Sequence, residues 1–264
     1  MFDSLINTLL VVAALYVYIS LFRQVAVRPA NGAASLGEKQ FGWPEVAAAA
    51  LLVGWFGLNV VASLHAEQTS SFRSKDLFLT GAFSLAVLLV LTALLQLRGF
   101  SVTSLGGFSR LGFGRIVSTA AVLLFAAYPL LFVADGVSRW FIDGGSSRQQ
   151  IIEMFTTSDT IQQRILIIVL AIAIAPMTEE FIFRFFLYGV LKRYFGRGAG
   201  LVLNSLLFAA VHVHLPSFGP LFLLGSCLTL AYEWSGSILV PMTMHALFNF
   251  LTLSALAFPN ILPQ

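Results

Sequence analysis

Glu179, Glu180 and Arg184 stand inside the apolar run of residues 172–188, where a charged side chain needs a reason. A charge at the centre of a hydrocarbon layer costs at least about 2.5–3.5 kcal/mol. Glu180 and Arg184 are one helical turn apart with the acid on the N-terminal side, the favourable order for an ion pair. That pairing gives the two a structural or supporting role. Helical geometry rotates Glu179 about 100° away from Glu180, so it has no such in-helix partner. An unpaired carboxylate in a low-dielectric site is suited to taking up and releasing a proton. Pro176 removes a backbone hydrogen bond and can kink the helix just before the site.

Two further apolar runs carry histidines. In residues 201–214, Phe208 and His212 share a helical face. His214 points away from His212 and stands beside Pro216 at the end of the run, so it reads as an interfacial histidine. In residues 237–257, His245 and Asn249 are stacked on one face. At 1.5 Å per residue, His245 lies about 12 Å and Asn249 about 18 Å from the start of that run. The same count brings Glu179 and His212 to a comparable depth. Any one of these groups alone can be explained by a hydrogen bond to a neighbouring helix. Together, Glu179, His212, His245 and Asn249 are the parts needed to hydrolyse an amide. A Glu and a His hold and deprotonate a water, and a His–Asn pair donates hydrogen bonds to the developing oxyanion. Glu179, His212 and His245 can equally ligate a zinc ion with an open water position. The spacing leaves both versions open.

Membrane helices must position these residues. The 264 residues are 58% hydrophobic and only 10% charged, and the mean hydropathy is +0.88. A soluble domain carries about 25% charged residues. The single cysteine, Cys227, excludes an internal disulfide. Without a basic patch interleaved with aromatics, a nucleic-acid partner is excluded. A bilayer-crossing helix needs about 20 mostly apolar residues. Eight runs meet or approach that length: residues 4–22, 44–64, 77–97, 116–138, 164–190, 200–214, 218–234 and 237–257, the sixth being short. The expected fold is therefore an all-α integral membrane protein of about eight transmembrane helices with an intramembrane catalytic cavity. Residues 1–160 form the first four helices with their loops, and residues 161–264 form the catalytic core. The first run is too long for a signal-peptide core and reads as a retained span. Within the polar 139–163 connection, residues 151–155 form either a short interfacial helix or ordinary loop.

Loop charges alternate. The connections after the first, third and fifth runs carry Arg23, Arg28 and Lys39, then Arg98, Arg110 and Arg115, then Lys192, Arg193 and Arg197, with Glu38 as the only acid among them. The intervening loops balance Lys and Arg against Asp and Glu. The positive-inside rule then puts both termini outside the cytoplasm. The lack of an organellar presequence fits a bacterial cytoplasmic membrane.

At this point the residues resemble a family. Glu179-Glu180-Phe-Ile-Phe-Arg184 is similar to the EExxxR motif of the CAAX-protease and bacteriocin-processing (CPBP, Abi) intramembrane proteases. Phe208-Ala-Ala-Val-His212 resembles its FxxxH motif, and His245-Ala-Leu-Phe-Asn249 its HxxxN motif. Each motif is weak alone; the three in order on separate helices are specific, and they cover residues 179–249. The resemblance implies an endopeptidase of the type II CAAX prenyl kind, acting on membrane-associated or lipid-modified peptides. It implies that Glu179 with His212 activates water and that His245 and Asn249 form the oxyanion site. Glu180, Arg184 and Phe208 are then supporting residues. The family has been described both as metalloproteases, with Zn2+ as the expected ion, and as metal-free glutamate-dependent enzymes. The residues fit the second better, because Asn is a poor zinc ligand and a good oxyanion donor. The expected partners are the lipid bilayer and a membrane-anchored peptide or protein, entering laterally or from the cytoplasmic side. Two rivals remain: an ion-coupled transporter, since intramembrane ionisable groups also mark ion paths, and a non-catalytic scaffold or bacteriocin-immunity protein.

Overall fold

The computed structural model describes residues 2–28, 40–65, 74–141, 155, 158 and 160–257. The chain is an all-α, multi-pass integral membrane protein. Helices α1 (Phe2–Val27), α2 (Trp43–His65) and α3 (Ser74–Leu97) are followed by the one-turn α4 (Val102–Leu105) and by α5 (Phe113–Phe141). A 50-residue helical stretch, Ile161–Ala210, comes next. It comprises α6 (Ile161–Val169), a π-helical turn π1 (Leu170–Ile174), α7 (Ala175–Glu180), a second π segment π2 (Phe181–Leu187) and α8 (Tyr188–Ala210). A single 3-10 turn, Leu215–Ser217, leads into α9 (Phe218–Ser235) and α10 (Leu239–Ala257). The proposed interfacial stretch 151–155 lies outside the described residues except for Phe155.

Among the described residues, seven helices are long and apolar enough to cross a bilayer, where hydropathy predicts eight. The difference lies in Ile161–Ala210. A straight rod of that many residues is about 75 Å long, against a hydrocarbon core of about 30 Å. The stretch is not straight. Gly196, within α8, has φ 80° and ψ 171°, a backbone region that essentially only glycine occupies. Beyond it the chain folds back, and Gly200 packs on the backbone of Lys192. The rings of Phe183 and Phe208 meet at 5.3 Å across the two arms. The fifth and sixth expected spans are thus two arms of one hairpin. The second arm, residues 197–210, is about 21 Å long and falls short of the far face.

Two packed layers hold the hairpin. Leu123, Leu124 and Ala127 of α5 bury against Leu224, Leu228 and Ala231 of α9, with Val240 and Met244 of α10 and Tyr18 of α1 completing the cluster. The phenylalanines of π2 bury against Phe208, Leu221 and Ile238, with Leu91 and Leu95 of α3 behind them. Gly225 lets α9 approach closely, since a Cβ there would sit 3.1 Å from the Phe208 ring. Asn204 donates to Thr229 Oγ1 at 3.2 Å between the same two helices, a buried polar link of the kind that joins membrane helices. On α2, Leu51, Trp55 and Leu58 stay exposed, as suits a lipid-facing helix.

One end of the bundle gathers the basic loops. Arg28 Nη1 donates to the carbonyls of Glu233 and Trp234 at 3.1 and 3.0 Å. Arg197 Nη1 donates to the Val25 carbonyl at 3.0 Å, and Lys192 and Arg197 both pair with Glu233. Ile238 N donates to the Gly106 carbonyl at 2.8 Å. Arg98 Nε donates to the fully buried Glu45 at 3.0 Å. The connections after α1 and α3 and the turn at Gly196 therefore share one rim, as the charge alternation requires.

Candidate active site

Glu180 and Arg184 are fully buried, and Arg184 Nη1 donates to Glu180 Oε1 at 2.9 Å. The same oxygen also accepts from His245 Nδ1 at 2.7 Å, a link across 65 residues of chain. Spacing predicts the first contact; only the fold supplies the second. Arg184 Nη2 reaches the Gly225 carbonyl at 3.4 Å, and its guanidinium lies 4.2 Å from the centre of the Phe208 ring. Cation and ring at that separation attract each other. The Phe208 ring also meets the His212 ring edge-on at 4.8 Å and the His245 ring at 5.9 Å. The aromatic of the FxxxH pattern thus walls both histidines.

His212 follows the last turn of α8. Its Nδ1 lies 2.7 Å from the Phe208 carbonyl. A carbonyl only accepts, so Nδ1 carries the proton and Nε2 is left for other chemistry. Glu179, half-buried on α7, has a buried Oε2 without a hydrogen-bond partner among the described residues. Glu180 Oε2 and Arg184 Nε are in the same condition. Leaving such a buried group unsatisfied costs about 1–3 kcal/mol, so their concentration at one spot marks a place built for something else to bind.

Asn249 sits one turn beyond His245. Its Nδ2 donates to the Ala171 carbonyl in π1 at 2.7 Å. That bond ties α10 to a turn whose backbone pairing is irregular, and it leaves the second N–H of the amide uncommitted to that contact. His214 lies apart, with Nδ1 2.9 Å from Ser217 Oγ. The two π segments bracket the Glu179–Glu180 turn, and sequence reasoning missed both. Pro176 at the start of α7, and the bulky Phe run of π2, are the only local signals for them. Such turns recur at functional sites because they rotate side chains out of α-helical register. Strain adds to this: Val213 has φ 49°, a genuine outlier for a β-branched residue.

The zinc version of the site does not fit. Among the described residues, no group of three or more His, Cys, Asp or Glu side chains is placed to hold a metal ion. Glu179, His212 and His245 are not grouped as ligands of one ion.

Residues 161–251 match the family described as type II CAAX prenyl endopeptidase Rce1-like. The match takes in both arms of the hairpin, α9 and most of α10, and every residue discussed in this section. That family implies a protease. No curated protein and no solved structure matches the chain.

Proposed function

We propose, from the Rce1-like match of residues 161–251, that the chain is an intramembrane endopeptidase that cleaves membrane-associated peptides by glutamate and histidine chemistry. The observation that carries this reading is the division of labour between adjacent carboxylates. Glu180 is consumed by Arg184 and His245, whereas Glu179, the adjacent residue, keeps a buried oxygen without a partner among the described residues.

In this mechanism a water lies between Glu179 and His212 Nε2. Glu179 takes its proton as the oxygen attacks the scissile carbonyl carbon, and later gives that proton to the leaving amine. His245, oriented by Glu180 through Nδ1–H, turns its Nε2 edge to the oxyanion side of the site. Asn249 supplies the second donor through its remaining N–H. Phe208 fixes the two imidazoles and Arg184. The substrate is a peptide already in or at the bilayer, because the site is embedded among apolar helices.

The test is cleavage of a membrane-anchored reporter peptide by the purified protein in lipid vesicles. Glu179→Ala and His212→Ala are expected to abolish cleavage while the protein still inserts and folds. Full activity in either variant would sink the assignment.

A further inference from the structure

The two sides of the site differ in access. Toward the basic rim the bundle is closed: Phe186, Leu187, Tyr188, Leu228, Ala231 and Val240 are all fully buried there. The rim itself is locked by the contacts of Arg28, Lys192 and Arg197 with the α9 end, and by Ile238 with Gly106. Away from the rim the structure opens. The short arm stops at Ala210, so residues 211–217 turn back about two-thirds of the way across the bilayer. Glu179, His212 and His214 are only half-buried on this side. A cavity of about 290 Å³ lies here between α5 and α10; Tyr128, Asp135, Ser217 and Thr252 line it, and it reaches the site at Asn249 and Ala171.

Charge gives these two sides their compartments. The basic rim carries the Lys- and Arg-rich connections and, from the whole sequence, only Glu38, Glu45 and Glu233 as acids. In sequence, the segments that join the helices ending on the open side contain Glu67, Asp76, Asp135, Asp143, Glu153 and Asp159, matching or outnumbering their Lys and Arg. Positive loops stay in the cytoplasm.

We infer that the catalytic cavity opens to the non-cytoplasmic side of the membrane, and that the substrate is a peptide segment already translocated across the bilayer or lodged in its outer half. Of the lateral and cytoplasmic routes expected from the sequence, this keeps only the lateral one, and it rests on the protease reading. A peptide-export or membrane-insertion step must therefore precede cleavage, and products leave on the outer side.

The experiment is site-directed thiol labelling of the full chain in intact spheroplasts with a membrane-impermeant maleimide. The background is Cys227→Ala, which removes the single, buried native thiol. Leu215→Cys, on the exposed turn beside the site, and Thr252→Cys, in the cavity, are expected to react in intact spheroplasts. Ser109→Cys, exposed at the basic rim, is expected to react only after lysis. Labelling of Ser109→Cys from outside, or a Leu215→Cys or Thr252→Cys that reacts only after lysis or not at all, overturns the inference. Labelling does not depend on catalysis, so a chain that passes this test but cleaves nothing would indict the protease reading alone.

Discussion

The two ends of the bundle use the same side-chain chemistry to opposite effect. At the rim, Glu233 forms ion pairs with Lys192 and Arg197, and Glu45 accepts from Arg98 and from the Gly42 N–H. These contacts tie loops to helix ends and close the structure. At the site, Glu180 is tied as firmly, to Arg184 and His245, yet three polar atoms of the same cluster remain buried without partners. The comparison teaches that a buried charge is informative through what it leaves unsatisfied rather than through its presence. The rim organises the fold; the site holds groups in reserve.

That contrast can be broken by experiment. Glu179→Gln keeps shape and burial but removes the proposed base, so cleavage is expected to fall about 10²–10⁴-fold with the thermal unfolding midpoint in detergent unchanged; a matching loss of stability would make Glu179 another structural carboxylate. Arg184→Ala should register on both scales. It leaves Glu180 buried without its cation, which costs about 3–5 kcal/mol, and it frees His245 to reorient; unfolding and activity measured on the same preparation would show whether both collapse together. Gly196→Ala has nothing within 4 Å of the new Cβ, so its cost is backbone strain alone, about 1–3 kcal/mol. Stability should drop while activity per folded molecule stays put, and an unstrained variant would show that the hairpin does not depend on this residue. The smallest effect belongs to Arg98→Ala. The arginine is partly solvent-exposed and Glu45 keeps the Gly42 N–H when it is gone, so unfolding should shift by less than in Arg184→Ala, with normal cleavage.

The three motifs were legible because each lies within one helical turn, where periodicity alone sets neighbours. Glu180 with Arg184, Phe208 with His212 and His245 with Asn249 all follow from a spacing of four. The apolar runs were equally legible, since lipid demands them. The hairpin count was harder to read. Hydropathy separated residues 164–190 from 200–214 but gave no hint that one helical stretch breaks at a single glycine. The zinc alternative could not be dismissed from residue types, because ligand sets depend on convergence in space. The roles of Asn249 in bonding Ala171, and of Phe208 in walling two histidines, also lay beyond local pattern.

What the sequence determined by itself is the solvent and the parts. Its hydropathy requires a multi-helix membrane protein, and its few intramembrane ionisable residues name the candidate site. What only the tertiary structure decided is which carboxylate is spent and which is held back. Glu179 and Glu180 are neighbours with the same side chain. They differ because α10 brings His245 to one of them and because π turns on either side set the angle of both. The direction in which the site opens was decided the same way, by an arm of the hairpin too short to reach the far face. Helical spacing fixes contacts within a turn; contacts between helices, and the openings they leave, follow from how lengths, breaks and packing combine across the whole chain.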